Sequence, residues 1–411
     1  MNLHDSSRRW WVCGLLFGAT ALNFLDRQVL SVLAPVITGQ LNISNQQYGY
    51  VTTAFIVSYA IMFFGGGRLM DLLGTRLGMA LAVGLWSLAS AAHAVAQNAF
   101  QLGVWRFLLG VGEGGCFPGT AKGISEWFPP EKRALAIGIA NSGSAFGAVL
   151  APPLVVWLAN LVTWRGAFVT TGIIGLVWVI MWCWVSRRPQ AGTVRAEARA
   201  AQLQPPPLLA LLQRTDVWGL GLMRFIFDPV FYFYMFWIPK YLSDARGASQ
   251  QQIGAVTWIP FLALGISNAL GGWLSDALIQ RGLSPMTARK TVMAVAALVT
   301  TASGLTGMVR TIEIALAMMT LLMFAHGFWI TNYIALISDR FPKTAVGTVV
   351  GFAGTVGALG GILANTGTGW IVDKFSYGPL WIASGLMYPL AFLVLVATIR
   401  TGGNRHENPA S

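Results

Sequence analysis

The 411-residue chain is 55% apolar and only 10% charged, against roughly 25% charged residues in an ordinary soluble domain. That composition excludes a soluble enzyme as the default and points to a membrane protein with many spans. The net charge of +12 is no sign of nucleic acid, because no binding module accompanies it.

Apolar runs of about 20 residues, long enough to cross a ~30 Å hydrocarbon core as helices, recur twelve times. The first, 10–33, contains NFLDRQVLSVL, with Asp26 and Arg27 side by side where hydrocarbon is expected. Arg8 and Arg9 ahead of it also fit a cleavable signal, but a signal's apolar core has no use for two charges, so the run is read as a span. The second, 48–66, leads into GRLMDLLGTR, and the third, 77–97, carries His93 near its outer end, expected to sit at the interface. The fourth, 99–120, holds Arg106, Glu113 and the glycine run GVGEGG. No Gly-x-x-x-x-Gly-Lys-Ser/Thr accompanies it, so close helix packing and not a phosphate loop explains the glycines. Runs five and six, 134–159 and 165–186, complete an N-terminal half, 1–186.

The polar stretch 187–216, rich in Arg, Ala, Gln and Pro, reads as a cytoplasmic linker, part of it stiffened by Pro205, Pro206 and Pro207. A short surface helix is expected in its Ala/Arg portion. The C-terminal half, 217–411, opens with run seven, 217–239, carrying Arg224, Asp228 and Pro229. Run eight, 251–274, precedes GWLSDALIQRG; run nine covers 289–309; run ten, 312–336, carries His326, Trp329 and Asn332; runs eleven and twelve cover 345–370 and 378–399.

With the N-terminus inside, nineteen of the 27 Lys and Arg fall on the cytoplasmic side, as the positive-inside rule requires. They form a collar able to meet anionic membrane lipid, and both termini are expected in the cytoplasm. Cys13, Cys116 and Cys183 are odd in number and lie in apolar runs, so buried free thiols are expected. No nucleophile set, metal-ligand cluster or cofactor motif is apparent, so the chain reads as no enzyme, without cofactor or metal.

An internal repeat supports the two halves. Gly67 and Asp71 after run two are matched by Gly272 and Asp276 after run eight, and SEWFP at 125–129 is matched by SDRFP at 338–342. Duplicated six-helix units are an architecture of secondary transporters, with the substrate site near the midplane between them. The fold class is therefore an all-α membrane protein with twelve transmembrane helices in two six-helix halves.

The charges inside the spans carry the chemistry. At about 2.5–3.5 kcal/mol each, the six acidic and basic ones cost on the order of 15 kcal/mol before pairing, and such residues commonly mark an ion or substrate path. Arg106 and Glu113 are two helical turns apart, about 10 Å along the axis, too far for direct contact. Adjacent Asp26 and Arg27 leave their helix about 100° apart. The economical arrangement turns Arg27 to a central cavity within reach of Glu113, and Asp26 to a flanking helix or to Arg106. Arg224 and Asp228, at i and i+4, are a candidate ion pair beside a proline that bends its helix. His326, with Trp329 and Asn332, is placed to line a cavity in the C-terminal half; a packed histidine fits equally.

FLDR, GRLMDLLGTR and WRFLLGVGEGGCFPG followed by SEWFPPEKR resemble the anion:cation symporter family of the major facilitator superfamily, and within it bacterial hexuronate transporters, with galactonate and glucarate carriers nearby. The resemblance covers about 9–400. It implies proton-coupled uptake of a sugar acid, most of all galacturonate or glucuronate, by alternating access across a bacterial inner membrane. It assigns Asp26, Glu113 and Arg106 to proton coupling and Arg27 to the substrate carboxylate, with Tyr59, Asn141 and Ser144 as polar cavity residues. His326 and Asn332 are further substrate candidates, and a monomer is expected. Phe24 departs from the tyrosine of many relatives and lacks its hydroxyl. A guanidinium fork suits a carboxylate, and when substrate occupies Arg27, Glu113 loses a counter-ion and becomes easier to protonate. Another organic anion (an aldonate, aldarate or aromatic acid) and anion exchange stay open as alternatives.

Overall fold

The computed structural model describes residues 3–187 and 208–399. The N-terminal half contains α1 (Leu3–Val32), α2 (Ala34–Gln40), α3 (Asn45–Ala92), α4 (Ala99–Glu113), α5 (Cys116–Trp127) and α6 (Pro130–Val185). After α7 (Leu208–Leu212) come α8 (Thr215–Arg246), α9 (Gln250–Val256), α10 (Trp258–Gln280), α11 (Pro285–Thr300), α12 (Ile312–Arg340), α13 (Lys343–Lys374) and α14 (Gly378–Thr398). Among the described residues there is no strand.

These elements make twelve rods. The long α3 is two of them, broken where Gly74 takes φ 72°, a left-handed conformation that costs glycine nothing. The long α6 is likewise two, broken at Val162 and Thr163. With the five-residue α7 left out of the count, three rods are each built from a pair of pieces, α1 with α2, α4 with α5 and α9 with α10, so the fourth apolar run is interrupted directly after Glu113. Among the described residues six segments are individually long and apolar enough to cross a membrane, including Leu72–Val95, Leu135–Val185 and Gly378–Thr398. The rods with buried charges, α1, α4 and α8, are not in that group, since α4 stops after 15 residues and polar side chains interrupt the other two.

The duplication reaches down to caps and turns. Ser44 closes a capping box with Gln47 at the start of α3, and Ser249 does the same with Gln252 at the start of α9. Those serines are 205 positions apart, the offset of Gly67 and Gly272. Asn98 caps α4 and Thr311 caps α12, 213 positions apart, the offset of Ser125 and Ser338. Thr163 and Ser376, again 213 apart, carry positive φ of 68° and 130° at equivalent hairpin turns. Each capping side chain satisfies a backbone N–H that the first helical turn leaves without a partner.

Packing between the halves is concentrated at one end. Asn45 Nδ2 and Gln46 N donate to Asp373 at 2.7 and 2.9 Å, Tyr48 Oη donates to Phe236 O at 2.7 Å, and Gln250 Nε2 donates to Val32 O at 2.8 Å. Thr53 and Thr366 share a hydrogen bond at 3.0 Å. Among the described residues every hydrogen bond between the halves lies toward this end, away from the first and last helical residues.

Most of the linker expected over 187–216, with its Ala/Arg portion and its prolines, lies outside the described residues, as does the Asp71 side chain. Cys13 and Cys116 are buried free thiols and Cys183 is half-buried. His93 corrects an expectation: it is fully buried, stacked on Phe168 at 4.6 Å with Nδ1 2.7 Å from Ala89 O. The chain tightens to a 3-10 turn there and draws the ring inward from the interface.

Candidate functional site

Two charge centres face the interior. In the N-terminal half, α1 brings Arg27 to Glu113 at the last residue of α4. Arg27 Nε and Nη2 donate to Glu113 Oε2 at 3.2 and 3.0 Å, and Nη2 also donates to Asn23 Oδ1 at 3.0 Å. Asn23 Nδ2 donates to the Glu113 carbonyl at 3.3 Å, tying the helix break to α1. Three rings box the guanidinium, its carbon 4.7 Å from Phe24, 5.0 Å from Phe55 and 4.6 Å from Tyr59, a geometry that stabilises a cation by its ring quadrupoles.

Asp26 points the other way, as adjacent residues on a helix must, and its Oδ1 accepts from Ser90 Oγ at 3.0 Å; Ser90 is in turn 3.1 Å from Thr171 Oγ1. The flanking helix and not Arg106 is its hydrogen-bond partner. Arg106 is 1% exposed and donates through Nη1 to the Arg27 carbonyl at 3.2 Å. Its Nε and Nη2, and Glu113 Oε1, are buried without hydrogen-bond partners. A guanidinium stripped of water with two nitrogens unsatisfied is costly, and the ion pair that Glu113 makes is with Arg27 and not with Arg106.

The glycines of GVGEGG make this approach close. A Cβ on Gly110 would lie 2.6 Å from Phe55 O, and one on Gly112 would lie 2.7 Å from Trp86 N. Any side chain would push α4 off α3 and Glu113 away from Arg27.

The second centre lies in the C-terminal half. Arg224 Nε donates to Asp228 Oδ2 at 2.7 Å, so the expected ion pair forms, and α8 continues through Pro229 as one helix. Both residues line a cavity of about 290 Å³ between the halves, together with Phe24, Ser144, Phe231, Asn268 and His326. His326 Nδ1 is 2.6 Å from Tyr388 Oη, and its ring stacks on Phe231 at 5.1 Å. Two further hollows are lined almost wholly by apolar side chains and hold none of these groups.

The other candidates separate. Tyr59 stacks on Phe55 at 5.6 Å beside Arg27. Ser144 lines the cavity and donates to Asn141 O at 2.8 Å, while Asn141 is exposed on α6. Asn332 corrects an expectation: it is fully buried, its Nδ2 donating to Gly271 O at 3.0 Å and Phe328 O at 2.9 Å. It ties α12 to α10 instead of facing the cavity, and Trp329 is buried with it. One polar residue escaped the sequence reading, and a second, Asn365, carried no assigned role in it. Asn268 was recognisable as an amide inside the apolar run eight. Asn365 joins the halves, donating to Gly49 O at 3.3 Å, Thr52 Oγ1 and Thr53 Oγ1 at 3.3 Å while accepting from Trp237 Nε1 at 2.7 Å.

Comparison with known proteins agrees with this architecture. The family model described as Major Facilitator Superfamily matches residues 16–365 and 220–410. A hexuronate transporter of Bacillus subtilis (strain 168) is 33% identical over 414 residues, 96% of this chain and 97% of its own. A hexuronate transporter of Escherichia coli (strain K12) is 29% identical over 98% of both chains, and a galacturonate transporter of Dickeya chrysanthemi is 32% identical over 75% of this chain and 94% of its own. Among solved structures, an inward-facing bacterial homolog of the human lysosomal transporter Spinster superposes with a TM-score of 0.74 at 20% identity over 95% of each chain. The D-xylose-proton symporter does so with 0.70 at 16% identity, over 94% of this chain and 97% of its own. The chain belongs to the Major Facilitator Superfamily and is a membrane transporter, not an enzyme.

Proposed function

We propose that the protein imports a sugar acid, a hexuronate such as galacturonate or glucuronate, together with protons across a bacterial inner membrane, with both termini cytoplasmic and the monomer as the working unit. The observation that carries this reading is the buried Arg27–Glu113 pair, with Nη1 of Arg27 free of that carboxylate and Arg106 unsatisfied beside it. The named relatives, transporters of hexuronates and galacturonate, supply the substrate class.

The mechanism is competition for one guanidinium. A substrate carboxylate and ionised Glu113 cannot both hold the Arg27 fork, since each wants two N–H donors. A proton on Glu113 releases Arg27 to the anion. Release of the anion returns Arg27 to Glu113 and expels the proton. Arg106, two turns away on the same helix, acts on an unprotonated Glu113 as a positive charge at a distance and not as a contact partner. Asp26, with its Ser90–Thr171 relay, is a second proton site outside this competition. Tyr59, beside Arg27, and Ser144, on the cavity wall, are assigned to sugar hydroxyls.

The test is uptake of radiolabelled galacturonate and glucuronate into proteoliposomes under an inward proton gradient. The intact protein accumulates them; Glu113→Gln, locked in the released form, keeps exchange but no longer responds to the gradient. Absence of uptake of both acids by folded protein overturns the substrate assignment, and gradient-driven accumulation by Glu113→Gln overturns the coupling role.

A further inference from the structure

We propose that Arg224 is a carboxylate-binding residue of the central cavity, held in position by Asp228. The inference rests on the sugar-acid reading and adds a second anion site to it, in the half opposite Arg27. Among the described residues lining the cavity, Arg224 is the one Lys or Arg. Arg27 is 5% exposed, with Phe24 standing between it and the cavity.

The pairing geometry leaves Arg224 available. Asp228 holds it through Nε alone, and its two terminal nitrogens make no hydrogen bond among the described residues. The side chain is 21% exposed, whereas that of Asp228 is 7% exposed. A guanidinium anchored at Nε presents its Nη1–Nη2 edge as a bidentate carboxylate receptor. Asp228 is fixed from behind: a Cβ on Gly357 of α13 would lie 2.9 Å from its Cγ and 3.0 Å from Arg224 Cβ. The pair therefore sits against a wall on one side and faces the cavity on the other.

Its location argues against a fossil of the duplication. Counting back 205 positions, Arg224 and Asp228 fall on Ala19 and Asn23, so the pair is no copy of Asp26–Arg27. A buried ion pair is commonly matched or bettered in stability by apolar residues of like volume, so stability alone gives little reason for it at this depth. The halves meet at the end away from the termini, so the cavity is closed on the side from which an imported anion comes, and Arg224, early in α8, lies toward the side by which it leaves.

The experiment is counterflow of radiolabelled galacturonate in proteoliposomes, which needs no proton gradient, alongside thermal stabilisation of purified protein by galacturonate and by neutral galactose. Arg224→Gln is expected to raise KM at least tenfold, with Tm changed by only a few degrees. Asp228→Asn, which removes the competing carboxylate, is expected to lower KM. The double variant Arg224→Leu/Asp228→Leu keeps an apolar pair of similar bulk and reads a structural role separately. It is expected to fold and to lose stabilisation by galacturonate. A wild-type KM in Arg224→Gln, or galacturonate binding retained by the double variant, overturns the proposal. If galacturonate neither stabilises nor enters with the intact protein, the sugar-acid reading fails by itself. The same stabilisation series with gluconate, glucarate and benzoate then reads Arg224: loss of charge-dependent binding in Arg224→Gln supports the site, and unchanged binding overturns it.

Discussion

Asn365→Ala is expected to unbalance the two ends of the bundle. The Asn365 side chain has two N–H donors and three acceptors in the other half within reach, at Gly49, Thr52 and Thr53, so at most two good cross-half bonds are made at once. Each contributes about 0.5–1.5 kcal/mol net, and their loss weakens the joined state by about 1–3 kcal/mol. The bond from Trp237 joins residues of the same half. Its loss affects joined and parted states alike and cancels from their ratio. At 1.4 kcal/mol per tenfold, the parted population rises about 5- to 150-fold. Nitroxides at Gln97 and Arg310, on the two sides of this end, with Cys183 replaced by alanine, read the separation by double electron–electron resonance. A long-distance component absent from the parent and prominent in Asn365→Ala is the expected result. A distribution indistinguishable from the parent's refutes the reasoning, because it would mean that the rim contacts and apolar packing alone set the balance. Asn45→Ala, whose bond to Asp373 is exposed, is expected to shift the population by no more than about fivefold, since exposed contacts contribute about 0–1 kcal/mol.

Three further predictions follow from the same geometry. Arg106→Met removes a buried cation with two unsatisfied nitrogens; Tm is expected to hold or rise while gradient-driven uptake falls at least tenfold, and a matching fall in Tm would mark Arg106 as structural. Gly112→Ala drives a Cβ to 2.7 Å from Trp86 N and 2.8 Å from Ala82 O, a backbone clash expected to cost about 1–3 kcal/mol, whereas Gly14→Ala, with nothing within 4 Å, leaves Tm within error in the same scan. Burial pushes the Asp216 carboxyl up, but hydrogen bonds and charge from Arg214 and Arg340 outweigh it and hold the group below the usual carboxylate range. A depressed folded-state value contributes stability at neutral pH that is lost as pH falls through that value, so Asp216→Asn is expected to lower Tm at pH 7 by the equivalent of about 1–2 kcal/mol, reduced because Arg214 is 42% exposed. The gap to the parent should close in the acid limb of the melting profile, and a constant gap would refute the assignment.

The spans were legible because a membrane helix is a length and a composition, and both survive in one sequence. Breaks were less so: the interruption after Glu113 rests on Gly114 and Gly115, and glycine in a membrane helix signals close packing as readily as a stop. Arg27 meeting Glu113 could be argued from the cost of leaving either charge alone, since few partners exist at that depth. Asp26 followed by exclusion, as neighbours on a helix cannot share a face. Asn332 was misplaced for the same reason that Asn268 was overlooked: an amide in an apolar run must find partners, but its spacing does not tell a backbone carbonyl of the next helix from a cavity.

Asn365 shows where such inference stops and where it could have gone further. Nothing in GALGGILANTG says that the amide crosses to the other half, since its partners are a glycine carbonyl and two threonines more than 300 positions earlier. Yet the partner segment announces itself. ISNQQYG at 43–49 and ASQQQIG at 248–254 share serine, glutamine and glycine at one offset of 205, and both begin rods with the same capping box. In the first copy the terminal Gly49 lets α13 approach, a Cβ there lying 3.0 Å from Asn365 O. In the second, Gly254 faces Val156, with a Cβ 2.7 Å from its Cγ2. The duplicated glycines therefore both serve contacts between halves, α3 on α13 and α9 on α6, and a symmetric reading of the repeat would have located both seams. The two copies differ in what they meet, an amide that hydrogen-bonds and a valine that packs, so the Asn365 seam can be opened by removing two hydrogen bonds whereas the Val156 seam holds by shape.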